Sequence, residues 1–212
     1  MHKTTIHCLR DWALTVPVHN MESSLFLALY NILCFFVGLE QWEPSPLFDG
    51  MAKIASSGNP EAQYHLGMFY NNGIGTSKNI AKAFEMFQKS SAGGNPLGSY
   101  KLGCYYSGQG KGVVKNDQNK GLKYKLIAAE AGYVRAQQDV AAKYFNDNDI
   151  QKAISWWEQA ANQGYPSAFY SLFAVYYDEK FNTKDWAKAY QYLKIIERNV
   201  DEDKKQKVAE KI

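Results

Sequence analysis

The residues of this chain that could do chemistry are few, and the most suggestive is the glycine-rich run G-Q-G-K-G-V-V-K around Gly110. Glycine-rich loops that bind phosphate have the spacing G-x-x-x-x-G-K-[ST] and follow a β-strand. This run has neither that spacing nor a strand pattern before it. We therefore interpret it as a turn between two helices, and it predicts no nucleotide site.

Two other reactive side chains, His65 and Cys104, lie in the regularly patterned part of the chain. A zinc site on a helix needs a second ligand at helical spacing, as in H-E-x-x-H, and His65 has none. Cys104 has no histidine or aspartate placed to activate a thiolate, so packing is favoured over nucleophilic catalysis. With Cys8 and Cys34 it forms no C-x-x-C pair. We predict no catalytic residue, no cofactor and no metal.

The elements that position these residues come from an internal repeat, which opens at a glycine and recurs after 36, 38 and 32 residues. Similar residues stand four, eight and twelve positions after each glycine, on one face of a helix. They are Ala62, Leu66 and Tyr70 after Gly58; Gly98, Leu102 and Tyr106 after Gly94; Ala136, Val140 and Tyr144 after Gly132; and Ala168, Leu172 and Tyr176 after Gly164. Such a period predicts a helical solenoid rather than a compact enzyme domain.

The second helix of each repeat has its own start and stop signals. A lysine recurs in each unit, and three residues before it stands a good N-cap residue, namely Asn79, Asp117, Asp149 or Asp185. The closing glycines Gly94, Gly132 and Gly164 suit a left-handed helix end. In the first helices, Gly67 and Gly103 predict close packing against a neighbouring helix, and one of Trp156 and Trp157 should be core.

The ends of the chain differ from the repeats. Leu25–Leu39 is uncharged for 15 residues and follows Lys3 and Arg10, which favours an export signal or membrane anchor over a buried helix. The alternative stays open, because the leading segment is long and has no A-x-A cleavage site. Residues 45–199 should form the solenoid, beginning with a half-repeat whose apolar stripe is Leu47, Met51, Ile54 and Ala55. Residues 1–44 are a separate segment, and residues 200–212 are mostly charged and predict a capping helix.

Composition excludes some function classes. The formal net charge is only +3, from 24 basic and 21 acidic side chains, so no general basic footprint for nucleic acid is present. Apolar residues make up 46% of the chain, which is ordinary for a folded protein.

The repeats resemble the Sel1-like repeat family, which is related to tetratricopeptide repeats. The family pattern A-x-x-x-L-G-x-x-Y, G-x-G-V-x-x-D-x-x-K-A and A-A-x-x-G is matched in the second unit by Leu102, Gly103, Tyr106, Gly110, Gly112, Val113, Asp117, Lys120, Ala128, Ala129 and Gly132. The resemblance implies an all-α, right-handed solenoid of about four helix–turn–helix units, used as an adaptor. Some bacterial relatives are exported, and some are immunity proteins that block secreted toxins.

The same resemblance implies that the first helices line a concave face. The positions that packing leaves open there are the predicted partner-binding residues Glu61, Tyr64, Met68, Asn71, Tyr100, Cys104, Arg135, Gln138, Tyr170 and Tyr177, with Ser107, Ala142 and Ala174 beside them. A tyrosine-rich surface suits protein binding, because tyrosine gives contact area and a hydrogen bond at low entropy cost. The alternative is that Tyr64, Tyr100 and Tyr170 only stack the repeats.

We therefore expect a non-catalytic module that binds one protein partner, as an adaptor or as an immunity protein that restrains a secreted toxin. A structural envelope scaffold is the alternative, and a hydrolase with an unrecognised site is less favoured. The expected location is the periplasm or cell envelope, with membrane association through Leu25–Leu39; the cytoplasm is the alternative.

Overall fold

A computed structural model describes residues 46–199, and the regular structure in that range is entirely helical. The α-helices, numbered here in chain order, are α1 Pro46–Ser56, α2 Pro60–Asn72, α3 Ile80–Ala92, α4 Pro96–Cys104, α5 Gln118–Glu130, α6 Val134–Asn146, α7 Ile150–Asn162, α8 Pro166–Tyr177 and α9 Trp186–Asn199. A π-helical turn, Tyr105–Gln109, follows α4, and a 3-10 turn, Glu179–Phe181, follows α8. The predicted half-repeat and four helix–turn–helix repeats are confirmed.

The chain divides into two compact units, with the boundary after Gly121, inside α5. In the first unit, Met51 and Ala55 of α1 pack with Leu66 and Phe69 of α2 in a buried cluster. The half-repeat therefore covers the first full repeat, as its apolar stripe predicts. Leu102 of α4 is 1% exposed, which confirms its predicted core position.

The second unit has its own core. Its buried cluster joins Ala141 of α6, Trp157 of α7, Leu172 of α8 and Ile196 of α9. Trp156 is only partly buried and packs against the outside of this cluster. As predicted, only one of the two adjacent tryptophans belongs to the core.

All four predicted N-caps are present. The side-chain oxygens of Asn79, Asp117, Asp149 and Asp185 each accept a hydrogen bond from the backbone N–H of the lysine three residues later, at 2.9–3.3 Å. These bonds satisfy a backbone donor that has no partner within the helix. In every repeat, the cap residue's own N–H also donates to the carbonyl of the tyrosine that precedes the turn. The cap thus fixes both the helix start and the turn before it.

The glycines behave as the repeat pattern predicts. Gly94, Gly132 and Gly164 have φ of 84°, 87° and 76°, the left-handed conformation that closes a helix. At Gly67, an added Cβ would lie 2.6 Å from the ring of the fully buried Phe87. A side chain at this position would therefore separate α2 from α3.

Several predictions lie outside the described residues. They are the segment 1–44 with its hydrophobic run Leu25–Leu39, and the capping helix at 200–212. Between residues 46 and 199, none of the helices combines the length and the apolar character that crossing a membrane requires.

Candidate protein-binding groove

A groove of about 600 Å³ runs between α6 and α8, the first helices of the third and fourth repeats. The side chain of Trp157, from α7, and the 3-10 turn after α8 complete it. We call this the α6–α8 groove; its lining residues are Gln138, Ala142, Phe145, Asn146, Trp157, Tyr170, Ser171, Phe173, Ala174, Val175, Tyr177, Asp178, Lys180 and Phe181. A volume of this size is typical of sites that hold small ligands or short segments.

The groove exists because two small residues face it at equivalent repeat positions. Ala142 and Ala174 each stand ten residues after the opening glycine of their repeat, where the first two repeats carry Met68 and Cys104. Methyl groups leave room between the two helices. On α8, Tyr170 and Tyr177 flank Ala174 and keep 50% and 43% of their surface exposed.

Aromatic contacts build the rim of the groove. The ring of Tyr177 stacks on Phe173 at 5.3 Å and meets the edge of Trp186 at 5.1 Å. Trp186 is itself 55% exposed. Large aromatic surface left open to water in this way is characteristic of interaction sites, because it contributes binding energy when it is covered.

The floor is more deeply buried. Trp157 is only 4% exposed, and its ring centre lies 5.5 Å from that of Phe145, which in turn lies 5.3 Å from Phe181. The polar atoms Gln138 Oε1 and Trp157 Nε1 are both buried and have no hydrogen-bond partner within residues 46–199. Each of these atoms thus keeps an unused bonding capacity on a side chain that lines the groove.

The charges at the groove are already paired. Lys180 Nζ lies 2.8 Å from Asp178 Oδ2, and this hydrogen bond lowers the pKa of the Asp178 carboxyl group. Lys143 of α6 pairs in the same way with Asp147. The groove therefore has little net charge to offer an ionic ligand.

Of the predicted partner-binding residues in the second unit, the groove brings together Gln138, Tyr170 and Tyr177, with Ala142 and Ala174 beside them. Arg135 is exposed on α6 but does not line the groove. The pattern did not identify Trp157, Phe145, Phe181 or Lys180. Trp157 lies on a second helix, Lys180 and Phe181 lie in a turn, and Phe145 lies at the end of α6. None of the four occupies a first-helix position that the repeat pattern leaves open.

The predicted residues of the first unit are less open. Tyr64 is partly buried, with its ring 6.0 Å from that of Phe87, and Asn71 Oδ1 accepts a 2.7 Å hydrogen bond from Tyr105 Oη. Glu61, Met68 and Tyr100 are also partly buried.

Cys104 requires a correction. It was predicted to be open, but it is 7% exposed. It is the last residue of α4, directly before the π-helical turn. Tyr105 and Tyr106, the first two residues of that turn, are buried as well, so the end of α4 is enclosed where the prediction expected an open helix face.

His65 is buried, and its Nε2 has no hydrogen-bond partner within the described part of the chain. Burial lowers its pKa, and the carboxylate of Glu61, 4.0 Å away, opposes part of that shift. Within residues 46–199, no three His, Cys, Asp or Glu side chains are grouped closely enough to hold a metal ion.

Helix pairs that repeat with capped starts and glycine ends define a helical-repeat protein of the tetratricopeptide-like class. The Sel1 repeat model matches residues 60–95, 96–133 and 147–165, so these parts of the chain are Sel1 repeats. Sel1 repeats mediate protein–protein interactions. Among curated proteins, no sequence matches this chain.

Solved structures support the fold. A Sel1 repeat protein from Oxalobacter formigenes is 24% identical with a TM-score of 0.64, covering 73% of this chain and 64% of that protein. A protective antigen of uropathogenic Escherichia coli with an SLR fold is 25% identical with a TM-score of 0.68, covering 94% of this chain and 42% of the antigen. The chain thus spans less than two thirds of either protein.

Immunity protein PA5088 from Pseudomonas aeruginosa is 20% identical, with a TM-score of 0.43, over 90% of this chain and 85% of its own. That TM-score is too low to extend the immunity function to this chain.

Proposed function

We propose that this chain is a non-catalytic protein-binding module and that the α6–α8 groove is its binding site. The observation that carries the proposal is the exposure of Tyr170 and Tyr177 beside a groove whose centre is kept open by two alanines. Exposed aromatic anchors around a concave apolar site are the usual source of binding energy in protein interfaces. The presence of Sel1 repeats, which bind proteins, agrees with this function.

The experiment is site-specific photo-crosslinking in cells of the source organism. A photoreactive amino acid placed at Lys180, an exposed residue that lines the groove, should capture a discrete protein partner. The matched control places the same amino acid at Ala187, which is exposed on α9 and does not line the groove. Capture of the same partner with equal yield from both positions would place the binding site elsewhere.

Substitutions then measure how much the tyrosines contribute. Tyr170→Ala and Tyr177→Ala should each weaken binding of the captured partner and speed its dissociation, since buried aromatic anchors mainly control dissociation. Tyr190→Ala removes an equally exposed tyrosine that does not line the groove, and should leave the affinity unchanged. If Tyr170→Ala and Tyr177→Ala bind as the unsubstituted chain does, the groove is the wrong surface.

We further propose that the partner is a secreted toxin or an envelope protein. The hydrophobic run Leu25–Leu39 supports this, because it favours export of the chain. A reporter fused after Gln41 should then be active outside the cytoplasm. A reporter that stays in the cytoplasm would instead favour a cytoplasmic adaptor.

A further inference from the structure

The outer face of α9 carries a stripe of aromatic and charged side chains. Trp186 and Tyr190 are one helical turn apart, and they keep 55% and 58% of their surface exposed. A lysine ammonium group lies over each ring, Lys184 at 4.8 Å from the centre of Trp186 and Lys194 at 5.3 Å from that of Tyr190. Glu197 follows on the same face and pairs with Lys194 at 2.8 Å. We call these five residues the α9 stripe.

The position that Tyr190 occupies is covered in the first and third repeats. It is the second residue after the recurring lysine, and it holds Phe84 in α3 and Ile154 in α7. The ring of Phe84 lies 5.8 Å from that of Tyr105 in the next repeat, and Ile154 is only 6% exposed, in the core cluster that includes residues of α8. Tyr190 thus exposes a surface that a neighbouring helix covers elsewhere in the chain.

Glu197 indicates what kind of neighbour suits α9. The other repeats have a small residue at its position, namely Ser91, Ala129 or Ala161. A further repeat packed as closely over α9 would bury the carboxylate of Glu197 without a countercharge, which is costly. The neighbour that fits therefore has a cation opposite Glu197 and an aromatic or apolar surface opposite Trp186 and Tyr190.

A second copy of α9 has both features. We infer that the chain self-associates through the α9 stripe, with two copies of the helix packed antiparallel about a twofold axis at Tyr190. Trp186 and Lys194 each stand four residues from Tyr190, about 6 Å along the helix axis, so each Trp186 ring faces Lys194 of the other copy. Lys184 and Glu197 stand six and seven residues from Tyr190 on opposite sides, so they form the outer contact between the copies.

The chemistry of the stripe favours this pairing. Covering the two aromatic side chains removes their surface from water, and a lysine over the indole ring adds a cation–π contact. Within one chain, Lys184 pairs with Glu179 and Lys194 with Glu197 at the surface, where ion pairs contribute little, so exchanging them for contacts with a second copy costs little. A parallel arrangement would place like charges opposite each other, so the charges select the antiparallel one.

The test uses the full-length chain, produced in one cell with two different affinity tags. A photoreactive amino acid at the exposed Gln191, beside Tyr190, should give a crosslinked product that carries both tags. The same amino acid at Lys123, which is exposed on α5, is the control and should give no such product.

A charge exchange tests the register of the contact. Lys184→Glu in both copies sets carboxylates opposite each other, and Glu197→Lys in both copies sets ammonium groups opposite each other. Each change should lower the yield of the doubly tagged product about tenfold, because the twofold axis makes the repulsive contact occur twice. When one copy carries Lys184→Glu and the other carries Glu197→Lys, opposite charges face each other again, and the yield should recover. Recovery also shows that both variants fold.

The inference is overturned if the mixed pair gives no more product than the two matched pairs. It is equally overturned if Gln191 captures only a different protein, or if mass spectrometry maps its crosslink to residues 200–212 of the same chain. The proposed groove function is tested separately, because neither Lys184 nor Glu197 lines the α6–α8 groove. Partner capture from Lys180 should persist in both variants, and absence of that capture beside an intact doubly tagged product would reject the groove alone.

Discussion

The ammonium group of Lys188 lies 4.7 Å from the centre of the Tyr176 ring and donates a 3.2 Å hydrogen bond to its phenolic oxygen. The same lysine-over-tyrosine contact occurs in the other three repeats: Lys82 with Tyr70 at 5.2 Å, Lys120 with Tyr106 at 4.7 Å, and Lys152 with Tyr144 at 5.1 Å. Each lysine stands in the first turn of a second helix. Three of the tyrosines stand near the end of the first helix before it, and Tyr106 stands in the π-helical turn that follows α4. The contact therefore closes each helix–turn–helix unit.

We predict that this contact stabilises the fold. Lys188→Met keeps the apolar stem but removes the charge, and it should lower the free energy of unfolding by about 0.5–1 kcal/mol, the usual contribution of an exposed cation–π contact. Lys123→Met, at an exposed lysine of α5, is the control and should have a smaller effect. Chemical denaturation of both variants measures the difference; equal losses would show that the Tyr176 ring contributes nothing specific.

A second prediction concerns Leu102, which is 1% exposed. Leu102→Ala should lower the free energy of unfolding by about 2–5 kcal/mol, because it removes buried methyl groups and leaves a cavity. The comparison is Ile127→Ala, at an exposed apolar residue of α5, which should change it by about 0.5 kcal/mol or less. A loss below about 0.5 kcal/mol for Leu102→Ala would contradict the core position of this residue.

A third prediction concerns the approach of α2 and α3 at Gly67. Alanine is normally the better helix former, but here its Cβ would meet the Phe87 ring at 2.6 Å. Gly67→Ala should therefore destabilise the fold by about 1–3 kcal/mol. Combining it with Phe87→Leu should cost less than the sum of the two single changes, because the smaller side chain relieves the clash. Strictly additive melting data would mean that the two residues do not compete for space.

The buried His65 predicts a pH dependence of stability. Its pKa is lowered in the folded protein, so below its ordinary value of about 6.5 the unfolded chain binds the proton more readily than the folded one does. Stability should be unaffected by this group above that pH and should fall as the pH drops from 6.5 towards the lowered folded pKa. Denaturation of the parent chain and of His65→Gln between pH 5 and pH 8 tests this; the substituted chain should show the flatter profile between pH 5 and pH 6.5.

The sequence predicted the repeat architecture because its signals are local. An N-cap such as Asp149 and a closing glycine such as Gly164 act on backbone groups within a few residues. Contacts between helices were harder to predict from the sequence. The recurring lysines and tyrosines were both recognised, but their pairing depends on the path of the turn between them. The burial of Cys104 was not predicted, because the repeat spacing does not show how the chain encloses the end of α4.

Of the residues that line the groove, the sequence predicted the two exposed tyrosines and Gln138 but not the buried Trp157. Tyr170, Tyr177 and Gln138 occupy positions that the repeat pattern leaves open, so their place on the groove was accessible from spacing alone. Trp157 occupies a core position of a second helix, and nothing in its spacing indicates that its N–H lacks a partner. That property depends on the three-dimensional arrangement of three helices.

We call the contact between the end of one second helix and the first helix that follows it a joint. The joints of this chain differ chemically from one another. Gln63 Nε2 donates to the carbonyl of Ala55, and Gln137 Nε2 donates to that of Ala129, so two joints are closed by a buried amide. At the equivalent position the second repeat has Ser99, whose hydroxyl is 2.8 Å from that of Ser91, and the fourth repeat has the buried Phe169.

The repeats therefore cannot be exchanged without changing the contacts at their joints. If the third and fourth repeats were exchanged by recombination, Phe169 would meet the end of α5 and Gln137 the end of α9, so neither side chain would keep the neighbours it has now. Duplication or loss of a whole repeat would likewise place the side chain at this position against a helix end that now contacts a different residue type. The order of repeats along this chain is thus constrained by its joints, and a change in the number of repeats would need compensating substitutions at these positions.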